Sequence, residues 1–176
     1  MKKLLLITLL CTTTISFAQE KEEITLKKNE LKLNTVTLIA LKAFDVSYER
    51  IIDSESSFGV SLFLKASEDE VNTSDFFRTF SFTPFYRRYF SSKYARGFFI
   101  EGFAMIANSK DYDYNIDNFK KDTDFALGIA AGAKFITKKG FIAEIFLGVG
   151  RKMGAETDAF DIPLVGRGGI TLGYQF

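Results

Sequence analysis

Large apolar residues recur at every second position along most of this chain. In its last segment Ile170, Leu172, Tyr174 and Phe176 alternate with Thr171, Gly173 and Gln175. Comparable alternation fills 43–52, 57–66, 76–90, 96–107, 123–136 and 140–150, and a looser version fills 31–40. A period of two sends successive side chains to opposite faces of a strand, so each segment predicts a strand with one apolar face. With 166–176 included, eight strands are expected.

The connections between them form two classes. Asp53-Ser54-Glu55-Ser56, Ser91-Ser92-Lys93 and Lys138-Lys139-Gly140 are short, whereas the connections after the third, fifth and seventh strands are long and polar. Short turns at one end and long loops at the other are the pattern of an outer-membrane barrel with both termini in the periplasm. The connection after the first strand, at Leu41-Lys42, is short against this rule. Its register stays open, since an even loop aims Thr35, Thr37 and Ile39 outward and an odd one aims Val36 and Leu38.

Volume decides which face is outside. About two dozen large residues share the apolar face, among them Phe44, Phe58, Leu62, Phe82, Phe98, Leu127, Leu147 and Leu172, whereas an eight-stranded interior holds on the order of a dozen side chains. The apolar face therefore points outward. The opposite face mixes small residues (Gly59, Ser61, Ser81, Gly128, Ala130, Gly148) with isolated charges. Arg78 and Arg88 would both lie outward on the fourth strand, separated by a height of ~25 Å that matches an apolar membrane band. Pro84 between them predicts a bulge or a missing ladder bond.

Export is expected as well. Lys2 and Lys3, the apolar run from Leu4 to Leu10 and Ser16-Phe17-Ala18 read as a signal peptide over 1–18, followed by a charged periplasmic lead-in over 19–30. Cys11 follows Leu10, where a lipid-attachment signal wants a small residue, and cleavage removes this one cysteine. The mature chain then has no disulfide and no thiolate chemistry. No later stretch approaches the ~20 apolar residues of a membrane helix. With 23 Lys+Arg against 22 Asp+Glu, the chain offers no basic surface for nucleic acid. Twenty Phe and seven Tyr suit strands at a lipid interface.

These features together resemble small outer-membrane barrels of the OmpA/OmpX type. Within that class, Lys32-Leu33-Asn34, Tyr48-Glu49, Phe85-Tyr86-Arg87-Arg88-Tyr89-Phe90 and the run from Gly168 to Phe176 resemble a family of exported barrels catalogued as a domain of unknown function. The resemblance covers about 31–176 and implies an all-β, closed, antiparallel, eight-stranded up-and-down transmembrane barrel in a Gram-negative outer membrane. It implies no activity. The glycine spacing of the last strand departs from the strict assembly-signal consensus, although Ile170, Leu172, Tyr174 and Phe176 keep its alternation.

Candidate chemistry lies on the inward face. Asp45, Glu49, Glu101 and Glu144 stand against Lys65, Arg87, Lys134 and Arg167, and such charges in a narrow barrel must pair. A plug of ion pairs is the expectation, and a narrow solute or ion pore with exchanging pairs is the alternative. A lipid-modifying barrel enzyme is the catalytic rival, but without any histidine neither His-activated serine nor His-ligated zinc is available. Asp111, Asp113, Asn115 and Asp117 have the spacing of a Ca²⁺ loop, against which Ile116 holds the glycine position and a solvated loop is the expectation. No cofactor is expected. The expected partners are outer-membrane lipid and lipopolysaccharide, with periplasmic chaperones and the barrel-assembly machinery during biogenesis. The expected role is monomeric, structural or surface-interacting, and not catalytic. Acidic outer loops with Tyr112, Tyr114, Phe119 and Phe160 would supply the contacts.

Overall fold

Eight antiparallel strands pair in chain order and the last closes on the first, so the fold is an all-β, up-and-down barrel. The computed structural model describes residues 27–65, 78–91, 93–113, 118–153 and 163–176, with side chains excepted over 109–122. The strands are β1 (Asn29–Asn34), β2 (Ala43–Ile51), β3 (Ser56–Lys65), β4 (Arg78–Tyr89), β5 (Gly97–Asp113), β6 (Asn118–Ile136), β7 (Phe141–Met153) and β8 (Leu164–Gln175). The expected signal segment over 1–18 and residues 66–77 and 154–162 lie outside the described residues. Among the described residues, no helix is long and apolar enough to cross a membrane.

Three local expectations are corrected. Residues 35–40 form a helix, α1 (Thr35–Ala40), in place of the second half of a first strand. Its β-branched sequence, TVTLIA, favours a strand, but Asn34 caps the turn by accepting from the Val36 and Thr37 amides at 3.2 and 3.4 Å. Lys42, at φ 49, then reverses the chain into β2. The second correction concerns Glu30, which belongs to the wall because β1 starts at Asn29 and pairs Glu30 with Glu49 and Gln175.

The third concerns Arg78. The β4–β5 register shifts between Arg78 and Phe80, opposing Arg78 to Ser109 and turning it inward. Its Nη1 lies 3.3 Å from Met105 Sδ and its guanidinium 4.4 Å from the Phe63 ring, so it is no outward membrane marker. At Pro84 the β4–β5 pairing lapses between Phe82 and Phe85 and resumes in the same register, as expected of a residue with no N–H to donate.

The wall separates two kinds of face. Outward rows carry exposed Phe44, Phe58, Leu62, Phe82, Ile100, Leu127, Leu147, Ile170, Leu172, Tyr174 and Phe176, with Leu147 78% exposed. Inward positions hold small residues and charges, as expected, but also Phe63, Phe85, Phe99, Phe103 and Phe146, all nearly inaccessible. The alternation misses these rings because glycines opposite make room for them. A Cβ on Gly59 would lie 2.4 Å from Phe85 Cζ, and one on Gly128 would lie 2.3 Å from Phe103 Cζ.

Candidate functional site: the ion-pair core of the barrel

Inward parity on seven strands delivers four carboxylates and four cations to one buried cluster. Glu30 and Lys32 come from β1, Glu49 from β2, Arg87 from β4, Glu101 from β5, Lys134 from β6, Glu144 from β7 and Arg167 from β8. Each is at most 9% exposed. Burying an ion costs several kcal/mol unless partners and hydrogen bonds replace its water, so the geometry must close nearly every valence.

The geometry does so around Arg87. Its Nη1 and Nη2 donate to Glu144 Oε2 and Oε1 at 2.7 and 2.9 Å, a bidentate pair. Nη1 also reaches Glu49 Oε2 at 2.9 Å, and Nε donates to Glu101 Oε2 at 2.6 Å. Glu49 is the second hub, accepting from Lys134 at 3.0 Å, from Ser57 Oγ at 2.6 Å, and from Lys32 and the Tyr89 hydroxyl. Lys134 also holds Glu30 at 2.9 and 3.1 Å, Lys32 reaches Glu144 at 2.9 Å, and Arg167 reaches the remaining oxygen of Glu101 at 2.6 Å.

Aromatic rings occupy the space between and above these pairs. The Arg87 guanidinium lies 4.2 Å from the Phe99 ring and 4.7 Å from that of Phe85. Arg167 faces Phe103 and Phe146 at 5.2 Å each, and Lys134 lies 4.5 Å over Tyr89. Desolvated cations gain from ring faces at this range, and planar guanidinium groups stack on them. Charge and ring thus alternate within this cluster, with equal numbers of positive and negative groups.

The architecture and its charged interior now stand beside a sequence match. The chain belongs to the family described as protein of unknown function (DUF3575), whose model matches residues 4–166. No curated protein and no solved structure matches it.

Six of the eight interior charges expected from this family member's sequence meet in the core: Glu49, Arg87, Glu101, Lys134, Glu144 and Arg167. The other two do not. Asp45 sits nearer the opposite rim, accepting from Ser61 Oγ at 2.6 Å and from Asn34 Nδ2 at 3.1 Å. Lys65 keeps inward parity but ends β3 and is exposed, without an ion pair to a described residue. Glu30 and Lys32 were missed, although their alternation with Leu31 and Leu33 carries the same period-two signal. Tyr89 and Ser57 complete the shell of Glu49 and carry no charge to attract notice.

The Ca²⁺ candidate residues fall partly within described strands. Asp111 and Asp113 lie within β5, paired with Lys120 and Asn118 of β6, so the expected loop is a hairpin extended beyond the rim. Asn115 and Asp117 are outside the described residues. Ile170, Leu172, Tyr174 and Phe176 lie outward at 45, 52, 41 and 54% exposure, and Leu172 and Tyr174 pair with β1 and β7.

Proposed function

We propose that this protein is an integral outer-membrane barrel whose interior is closed by ion pairs, and that it serves envelope structure or surface interaction, not catalysis. The observation that carries the reading is the inversion of its faces. Large apolar side chains crowd the outside of a closed barrel while ions, small residues and a few rings packed among the ions occupy the inside. In water such an exterior is an aggregation liability, whereas in hydrocarbon it is the required surface. Closure leaves no unpaired sheet edge where the barrel meets lipid chains, apart from the upper part of the β8–β1 seam that α1 covers.

In this reading both termini are periplasmic, the short turns face the periplasm and the extended β5–β6 hairpin projects outward. Export proceeds through the signal over 1–18, with chaperones and the assembly machinery handling the chain before it enters lipid. The barrel works as a monomer. A lipid-modifying activity has no histidine base to draw on. The pore alternative draws on Arg87, which touches three carboxylates and so has partners to exchange.

Fractionation of cells and refolding of the mature chain test the location. The expected result is recovery in outer-membrane fractions, with heat-modifiable migration on gels and an outer hairpin cut by external protease. Recovery in the soluble periplasm, or a refolded chain that stays in water without lipid, would overturn the reading.

A further inference from the structure

The rim where the two termini meet carries cations that the ion-pair core does not use. Arg50 and Arg88 are exposed on the outward ends of β2 and β4. Lys93 and Arg96 occupy the β4–β5 connection, and Lys138 and Lys139 the β6–β7 connection. Lys27 and Lys28 lead into β1. Among the described residues the exposed acids at this rim are Asp53 and Glu55, both in the β2–β3 turn. Glu55 is already engaged by Arg88 at 2.6 Å, and Asp53 turns inward on its own loop, accepting from Ser56 Oγ at 2.6 Å.

Aromatic rings share the level of these cations. Phe90 and Phe98 lie 6.3 Å apart, Phe141 and Tyr174 meet edge-on at 5.5 Å, and the Lys27 ammonium lies 5.0 Å over the Tyr174 ring. Arg88 precedes Phe90 by two residues, Lys139 precedes Phe141 by two, and Arg50 lies between Tyr48 and Ile52. Cation and ring therefore alternate around the circumference, on three different connections, with buried Ile51, Tyr89 and Ala95 inside the ring they form. Rings at headgroup depth beside cations are what an anionic membrane surface selects. A polymer laid across the end of the barrel would instead call for charge over the axis.

We propose that this rim is a collar that binds the phosphates of anionic glycerophospholipids in the adjoining leaflet. The proposal rests on the membrane reading above and adds the lipid class and the side. It makes the barrel electrically polar, with a cationic collar at the end that carries the termini. The polarity opposes inversion in the membrane.

The test uses the mature chain refolded into phosphatidylcholine vesicles doped with spin-labelled phosphatidylglycerol or spin-labelled phosphatidylcholine. The fraction of label restricted by the protein is read at low and high salt. The expected result is a preference for phosphatidylglycerol on the order of fivefold for each fully engaged cation. It shrinks at ~0.5 M salt and in the double variant Arg50→Gln, Lys139→Gln, whose sites are exposed and leave folding intact. Equal restriction of both labels by an inserted barrel would overturn the collar. So would salt-sensitive sedimentation with purified peptidoglycan in place of any lipid preference. Failure of the chain to float with vesicles is a separate outcome, which would overturn the membrane reading and the collar with it.

Discussion

Arg87 concentrates the energetics of the interior in one side chain. It serves Glu49, Glu101 and Glu144 at once, so replacing it with methionine leaves three buried carboxylates short of a partner. Removing one member of a buried pair costs about 3–5 kcal/mol. Arg87→Met should therefore lower the urea midpoint of the refolded barrel by a corresponding amount, read as loss of heat-modifiable migration. Lys65→Gln, at an exposed strand end, should move it by less than ~0.5 kcal/mol. Equal midpoints for the two would contradict the ion-pair account. Outside the wall, Asp53 is held below the usual aspartate range by the Ser56 hydroxyl and then by the Glu55 amide. A depressed acid stabilises its turn at neutral pH and loses that contribution as pH falls through its own titration. An NMR titration of the Asp53 carboxyl should thus find a midpoint below the ordinary value, and Ser56→Ala should raise it. Inward parity made most of the core legible, since Glu49, Arg87, Glu101, Lys134, Glu144 and Arg167 each break an apolar row at strand period. Glu30 and Lys32 stayed hidden because neighbouring charges in the lead-in mask where the strand begins. Phe85 and Phe103 stayed hidden because large apolar residues on both faces erase alternation, and only the glycines across the ladder explain how they fit.

Among the elements, the ladders that β1 makes with β2 and with β8 are the shortest of the barrel, five residue pairs each. β1 stops at Asn34, paired with Thr171, while β8 continues back to Leu164 with β7 alone. α1 covers the difference, attached through side chains. Asn34 Nδ2 donates to Gly168 O at 3.1 Å and Thr35 Oγ1 to Ile170 O at 2.9 Å. Gly169, at φ 151, leaves the space beside it to the Asn34 amide, whose Oδ1 lies 2.2 Å from where a Cβ would stand. Asn34→Ala removes the helix cap and the bridge to Gly168 together, at a cost of ~1–2 kcal/mol. Hydrogen exchange in lipid should then speed up at 35–40 and 164–170 and stay unchanged at β5 and β6. Uniform acceleration around the barrel would contradict a local latch. This helix was not legible beforehand, since β-branched residues at 35–39 favour a strand and the deciding contact, Asn34 against β8, spans more than a hundred residues. The bulge at Arg78 was hidden for the same reason, because a one-residue slip is set by the partner strand.

At the scale of the whole molecule, closure by eight strands followed from counting apolar segments and from the volume of their large residues. The division of the ends followed from connection lengths, with one exception: the fifth connection is a hairpin running on to Asp113 and back from Asn118. Among the described residues that hairpin pairs with no other strand beyond Ser109, so deleting 110–122 should leave heat-modifiable folding intact while removing any adhesion or binding that the outer surface supports. Loss of assembly in that deletion would mean the hairpin serves the fold. The proposed closure of the axis stands on charge balance in the core, with rings between the pairs. Single-channel recording of the refolded mature chain in a planar bilayer, after gel migration has established that a barrel formed, tests it most directly. The account predicts a folded and electrically silent barrel. Steady, ion-selective steps would contradict it and make Arg87 and its carboxylates the filter of a pore.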